Sequence, residues 1–325
     1  MKRAFVLLAI LAVPAASHAG SLGGSPVALV TAETQNRLVA VELPTGRILR
    51  RLAMPADPEN VEVDPGFGLG PATAVVVSAR AGAVTLVDGR RLRVVKVLRG
   101  FGSPHIPLIV PGHLIAYVTD DARGQLAVID LVHRRVVRKV FVGYGAHHMA
   151  ISPDWSRLWI ALGERARRIA VLDTTNPRAP RLVGHVDPGG EAHDLAFDPQ
   201  GRRVWVTYDD RSSVAVFDAQ SRGLVRTIPA GSPPQHVAFD AFSNARHAYV
   251  TSGDDGTLRV ISMRSGRTVR IVRTAPGSFN VTTGGSLVLI SSLTRGTLTE
   301  LTANGRVLLR KRIAPSARDV ALAVL

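Results

Sequence analysis

The sequence contains no cysteine. That excludes disulfides, thiolate-bound zinc, haem attached through C-x-x-C-H, a thiol nucleophile and a lipid-modified cysteine behind a leader. Aromatic residues make up only 5% of the 325, so a core must be built from Val, Leu, Ile and Ala. Lysine is scarce: Lys2, Lys96, Lys139 and Lys311 are the four among 40 basic residues, and arginine supplies the rest. Beyond the N-terminus no apolar run is long enough to span a membrane, and no stretch sustains the 3.6-residue apolar spacing of an amphipathic helix. There is no G-x-S-x-G, no H-E-x-x-H and no phosphate-binding glycine loop. "FGLG" at 67–70 reads as a plain loop between strands.

The first residues read as an export leader. Lys2 and Arg3 precede the apolar run "AFVLLAILAVPAA", and "SHA" at 17–19 has small residues at both specificity positions. Residues 1–19 are therefore expected to be a signal peptide cleaved after Ala19; the alternative is an uncleaved anchor. Residues 20–325 would then form one domain, periplasmic or extracellular, with no transmembrane segment and monomeric. The formal charge of +15 favours anionic partners. Outside the cytoplasm that points to an anionic envelope surface, an acidic glycan or an acidic protein, and not to nucleic acid.

Thirty glycines and many β-branched residues favour strands and tight turns, and one unit recurs along the chain. "LIAYVTDDARGQLAVIDLVHRRVVRKVFVGYGAHHMAISPD" divides into four short apolar segments, with Gly, Asp, Asn or Pro at the junctions. Seven such copies can be laid out between residues 26 and 325. A polar residue after the second segment of the copy recurs at Glu42, Asp88, Asp130, Asp173, Asp218 and Ser262, at intervals of 46, 42, 43, 45 and 44. Four strands per 40–45 residues is the pattern of a propeller blade. The expected fold is all-β, a seven-bladed β-propeller of four-stranded blades; six or eight blades and a β-solenoid are the alternatives. "PVALVTAE" matches the second strand of a blade that lacks its first, and "ARDVALAVL" matches a first strand with nothing after it. Both deficits vanish if Val320–Leu325 joins residues 27–53 in one blade, closing the ring by pairing the two terminal strands. The fourth strand, the outermost, gathers the arginines ("RILRRL", "RRVVRKV", "RVLLRKRI"). Charge there discourages edge-to-edge pairing or forms a basic belt for an anionic surface.

The repeat resembles the YVTN-type propeller repeat, in Tyr117-Val118-Thr119, Ala127-Val128-Ile129-Asp130, Val142-Gly143 and His147-x-x-Ala150-x-Ser152-Pro153-Asp154. Tyr249-Val250-Thr251 and Val206-Thr207 match it in other copies. Asp120, Ala146 and Trp155 depart from its Asn, Pro and Gly. The resemblance spans residues 26–325 and implies an exported, YncE-like binding propeller. It implies no fixed catalytic set; distant relatives hold copper or haem with central histidines.

"GYGAHHMAISPD" at 143–154 places two histidines before the innermost strand of its blade. Aligning all seven innermost strands puts Asn60, His105, His148, Asp194, His236, Asn280 and Asp319 at one position, a polar ring expected to bind a ligand at one channel mouth. Glu59, Pro104, His147, His193, Gln235, Phe279 and Arg318 stand one residue earlier. These histidines can simply cap the inner strands. They can also hold a ligand: His147, His148, Glu191, His193 and His236 form a candidate site for a divalent transition metal, since imidazole and carboxylate suit Zn, Cu, Ni or Mn without thiolate. An organic or haem-like cofactor stays open, as does an unidentified protein or small-molecule ligand. Glu191-x-His193 with His147 also resembles the divalent-cation site of streptogramin lyases, which implies a metal-dependent lyase or hydrolase. His113, His133, His185 and His247 read as solvated.

Overall fold

On the strand Thr73–Ser78 every residue after the first is buried, and alternate residues serve different neighbours. Ala74 and Val76 pack with Leu29, Leu38 and Ala40, whereas Val75 and Val77 pack with Ala116, Val118 and Ile129. Side chains of a strand point alternately to the two faces of its sheet. A sheet wedged between two others therefore reads as a continuous apolar run rather than as alternation. The same division recurs around the molecule and yields seven apolar cores, one per interface between sheets. Low aromatic content suits these thin, regular layers.

A computed structural model describes residues 26–64, 73–163, 167–240, 246–284 and 286–324. The leader at 1–19 and the loop at 67–70 lie outside the described residues. Among the described residues, 28 strands form seven four-stranded antiparallel sheets. Numbered along the chain, the blades have the inner strands Val320–Val324 (blade 1), Pro58–Val63 (blade 2), Pro104–Val110 (blade 3), Met149–Ile151 (blade 4), Ala192–Phe197 (blade 5), Val237–Phe239 (blade 6) and Val281–Gly284 (blade 7). The fold is the expected seven-bladed β-propeller. Its ring closes as the ends of the repeat require: Val320–Val324 pairs antiparallel with Pro26–Ala32, with Val30 opposite Val320 and Leu29 opposite Ala321. No helix among the described residues is long and apolar enough to cross a membrane.

The recurring acidic position ends the third strand and caps the turn after it. Asp130 accepts the Val132 and His133 N–H groups, and Asp218 those of Gln220 and Ser221. Just before it, each blade slips register against its outer strand. Such bulges, with the exposed arginines of Arg47–Ala53, Arg135–Phe141 and Val307–Arg312, blunt the outer edges against pairing.

A hydroxyl near the end of the second strand ties each of five blades to the next. Thr31, Thr119 and Thr207 each donate, at 2.7 Å, to the carbonyls of Glu59, His147 and Gln235. Thr251 donates to the Phe279 carbonyl, and Ser291 to that of Arg318 at 2.8 Å. Every acceptor lies one residue before the aligned ring. The Thr of the Tyr-Val-Thr pattern is thus a strut between blades that fixes the backbone from which the mouth residues project.

Candidate metal centre

Blades 3 to 6 bring five imidazoles to one mouth of the channel. His105, His147, His148, His193 and His236 all line a cavity of about 1010 Å³. His105 stacks on His147 with ring centroids 3.6 Å apart, and His148 stands 4.6 Å from both His193 and His236. The loop that delivers the pair 147–148 passes tight against blade 4. Gly145 has φ +75°, and a Cβ there would come within 2.3 Å of the Leu162 carbonyl oxygen, so only glycine fits the approach.

Each of the five rings turns Nδ1 to a carboxylate. His147 Nδ1 lies 3.0 Å from Asp121 and His193 Nδ1 lies 3.0 Å from Asp209. Asp194 serves two rings, with Oδ1 3.3 Å from His148 Nδ1 and Oδ2 3.5 Å from His236 Nδ1. Glu59 Oε2 is 2.9 Å from His105 Nδ1 but poorly aligned, and it accepts no hydrogen bond among the described residues. An ionised carboxylate only accepts, so in the four rings held by aspartates the facing Nδ1 carries the proton and Nε2 keeps its lone pair. Metal-binding histidines are oriented in this way, their second nitrogen held by an outer carboxylate.

The charges agree. Burial holds His148 well below the ordinary histidine range, against the raising pull of Asp194. Burial does the same to His105, with His147 and Arg318 adding to it. Both are therefore neutral near pH 7, the form that ligates. Burial alone would raise Asp194, but His236 and His148 outweigh it and hold its carboxyl ionised. Burial pushes Glu59 up, with Arg318 and His147 pulling the other way.

Two groups of three have ligand atoms within 4.8 Å of one another: His148, His193 and His236, and His105, His147 and His148. Zn–N bonds of about 2.0–2.1 Å put tetrahedral nitrogens roughly 3.4 Å apart. No pair therefore has to draw in by more than about 1.4 Å.

Four members of the aligned ring do something else. Asn60 Nδ2 donates to the His105 carbonyl at 2.8 Å, and Asn280 Nδ2 to the Arg318 carbonyl at 2.9 Å. Asp319 accepts the Val61 N–H, and Asp194 the Val237 N–H, both at 2.9 Å. Each bond crosses to the next blade, so these are staples of the ring; only Asn60 and Asn280 also line the cavity. Glu191, expected among the metal ligands, pairs instead with Arg167 at 2.8 Å and belongs to neither histidine group. Its side chain answers an arginine, and among the described residues no metal-ligand group joins Glu191 to His193 and His147. The sequence reading missed Asp121, Asp209 and Glu59. A signal existed: Asp121 and Asp209 each stand two residues after the strut threonines Thr119 and Thr207. Glu33 stands likewise after Thr31 and pairs with Arg318. His133, read as solvated, caps its own turn through Asp130, 3.0 Å away.

The profile of the Cytochrome D1 heme domain matches residues 71–176, about a third of the chain. No curated protein matches. Among solved structures, a functionally unknown protein from Desulfotomaculum acetoxidans superposes with a TM-score of 0.79 at 15% identity, over 92% of this chain and 99% of its own. Apo AztD from Citrobacter koseri gives 0.72 at 13% identity, over 92% and 98%. The dihydro-heme d1 dehydrogenase NirN, in complex with DHE, gives 0.65 at 14%, over 92% and 75%. With 1611 chains matching, the likeness is one of fold, which by itself assigns no function.

The heme domain match makes haem the cofactor to test against these residues. A haem iron leaves the protein its axial positions only. Here three imidazoles converge within 4.8 Å of one another, more donors than the axial positions of one haem iron take and a set that fits a bare ion.

Proposed function

We propose that this protein is a metal-binding propeller that holds one divalent transition ion at the channel mouth through Nε2 of His148, His193 and His236. The observation that carries the reading is the arrangement of these three rings: a carboxylate faces Nδ1 of each, and one nitrogen of each lies within 4.8 Å of the others beside a shared cavity. Imidazole donors without thiolate suit Zn, Cu or Ni. Three histidines leave a fourth position open, and the cavity has room beside it for a further ligand. The reading of residues 1–19 as a leader supports a place outside the cytoplasmic membrane. The arginine-rich outer strands would suit an anionic envelope surface there.

Mature protein purified without a histidine tag tests this. After dialysis against Zn²⁺ or Co²⁺ it should retain about one ion per chain by elemental analysis, and His148→Ala should abolish retention. Failure to bind either ion, or a haem absorption band in the purified protein, would overturn it.

A further inference from the structure

His148 is a member of both three-histidine groups. Its Nδ1 faces Asp194 at 3.3 Å, so it has one nitrogen left, and one lone pair binds one ion. The two groups therefore cannot both be complete at once. Yet both have the features of a ligand set. In the second group His147 is oriented by Asp121 at 3.0 Å, His105 has Glu59 2.9 Å from its Nδ1, and the two rings lie parallel at 3.6 Å. We infer that the mouth contains a second metal position, His105–His147–His148, and that one ion exchanges between the two positions with His148 as the common ligand.

The positions differ in access. The His193–His236 position has one buried ligand, His148 (4% exposed); the His105–His147 position has two, His148 and His105 (7% exposed), with His147 half-buried like His193 and His236. The position with His193 and His236 is the entry, and the one with His105 and His147 is the inner seat. Passage between them breaks the bonds to His193 and His236 and forms those to His105 and His147. The His148 bond persists throughout, so the ion is never released to water and neither oxidation state nor proton count changes. A vacated coordination place can be filled by water at either end. The inference rests on the metal-binding reading above and adds to it a site and a route.

The test compares two paired variants of the full mature chain with wild type, using Co²⁺ uptake and the visible ligand-field spectrum. His193→Gln with His236→Gln removes the entry triad; His105→Gln with His147→Gln removes the inner one. Each variant should still bind about one Co²⁺, and their spectra should differ from each other, with wild type between them. Circular dichroism and thermal melts establish that each variant is folded. The inference fails if wild type binds Co²⁺ and the folded His193→Gln/His236→Gln protein binds none. It also fails if wild type binds two ions with equal affinity. No uptake by wild type sinks the metal-binding reading itself, and this one with it.

Discussion

Thr119 on blade 3 donates its hydroxyl to the carbonyl of His147 on blade 4, across 2.7 Å. Two residues on, Asp121 holds the ring of the same histidine. One strand end and the turn after it thus fix both the backbone and the side chain of a mouth residue carried by the next blade. Propeller architecture and candidate chemistry meet in these two bonds.

Replacing the strut tests the architectural half. Thr119→Val keeps the shape and removes the donor, leaving the part-buried His147 carbonyl short of a partner. A loss of about 1–3 kcal/mol in unfolding free energy is expected. Metal affinity at the entry triad should stay near wild type, because His147 is not part of it. Unchanged stability in denaturant titration would show the strut to be idle.

Asp194 separates orientation from stapling. Asp194→Ala loses both the acceptor for Val237 N–H and the anchor of two rings, so stability and metal affinity should fall together. Asp194→Asn keeps an acceptor for Val237 but no anionic partner for His148 and His236. It should melt near wild type while binding Zn²⁺ about 10–100-fold more weakly, the usual cost of removing such an outer partner. Calorimetric titration showing wild-type affinity in both variants would refute the orienting role.

Asp130 predicts a response to acid. Burial works to raise it, but the N–H groups of Val132 and His133, the His133 ring and Arg178 overcome this and hold it well below the usual carboxylate range. Its folded value lies below its unfolded one, so its contribution is present above about pH 4 and is lost as pH falls through the folded value. Asp130→Asn should cost about 1–3 kcal/mol at pH 7, with the gap to wild type closing below the usual Asp range. A gap constant down to the acid transition would contradict this.

Glu62 predicts the opposite slope. Burial, with repulsion from Asp319 and Asp64, pushes it up to about 8, and burial pushes Asp319 up to about 7. A folded value above the unfolded one means that the folded state binds more protons, so stability falls as pH rises from the ordinary Glu range towards 8. Glu62→Gln should melt with wild type near pH 4 and above it at pH 9. Equal melting temperatures at both ends would rule out a burdened carboxyl at this place.

Closure of the ring predicts a severe truncation. Deleting residues 319–325 removes the inner strand of blade 1, leaving Pro26–Ala32 unpaired on that side. It also strips Val320 from one apolar core and Ala321 and Ala323 from the next. Loss of cooperative melting is expected, far beyond the effect of trimming a frayed end. A soluble truncated protein that melts like the full chain would refute it.

The fold was legible because repetition does the work: one blade pattern, seen seven times, gives strand order, blade count and the vacancy that Val320–Val324 fills. The site was legible only in part. Aligning the inner strands located His105, His148 and His236, since a ring position depends on the repeat alone. It also gathered Asn60, Asp194, Asn280 and Asp319, whose role depends on how far a short side chain reaches towards the next blade, and no linear pattern states that reach. Glu191 failed for a related reason. It stands just before the strand Ala192–Phe197, where the two-residue alternation does not fix its direction, and it pairs with Arg167. Asp121 and Asp209 were within reach of pattern reading, had the residue two after each strut threonine been aligned as the inner strands were.

His148, His193 and His236 come from three successive blades, which makes a bound ion a rivet across two of the seams between sheets. Anything that binds only the folded ring adds RT ln(1 + [L]/Kd) to its stability, about 2.7 kcal/mol at a hundredfold excess over Kd. Occupancy is then written into the melting temperature, and a spectroscopically silent ion such as Zn²⁺ needs no other reporter. Between the melting points of the empty and the filled ring, a chelator alone would be enough to open the propeller.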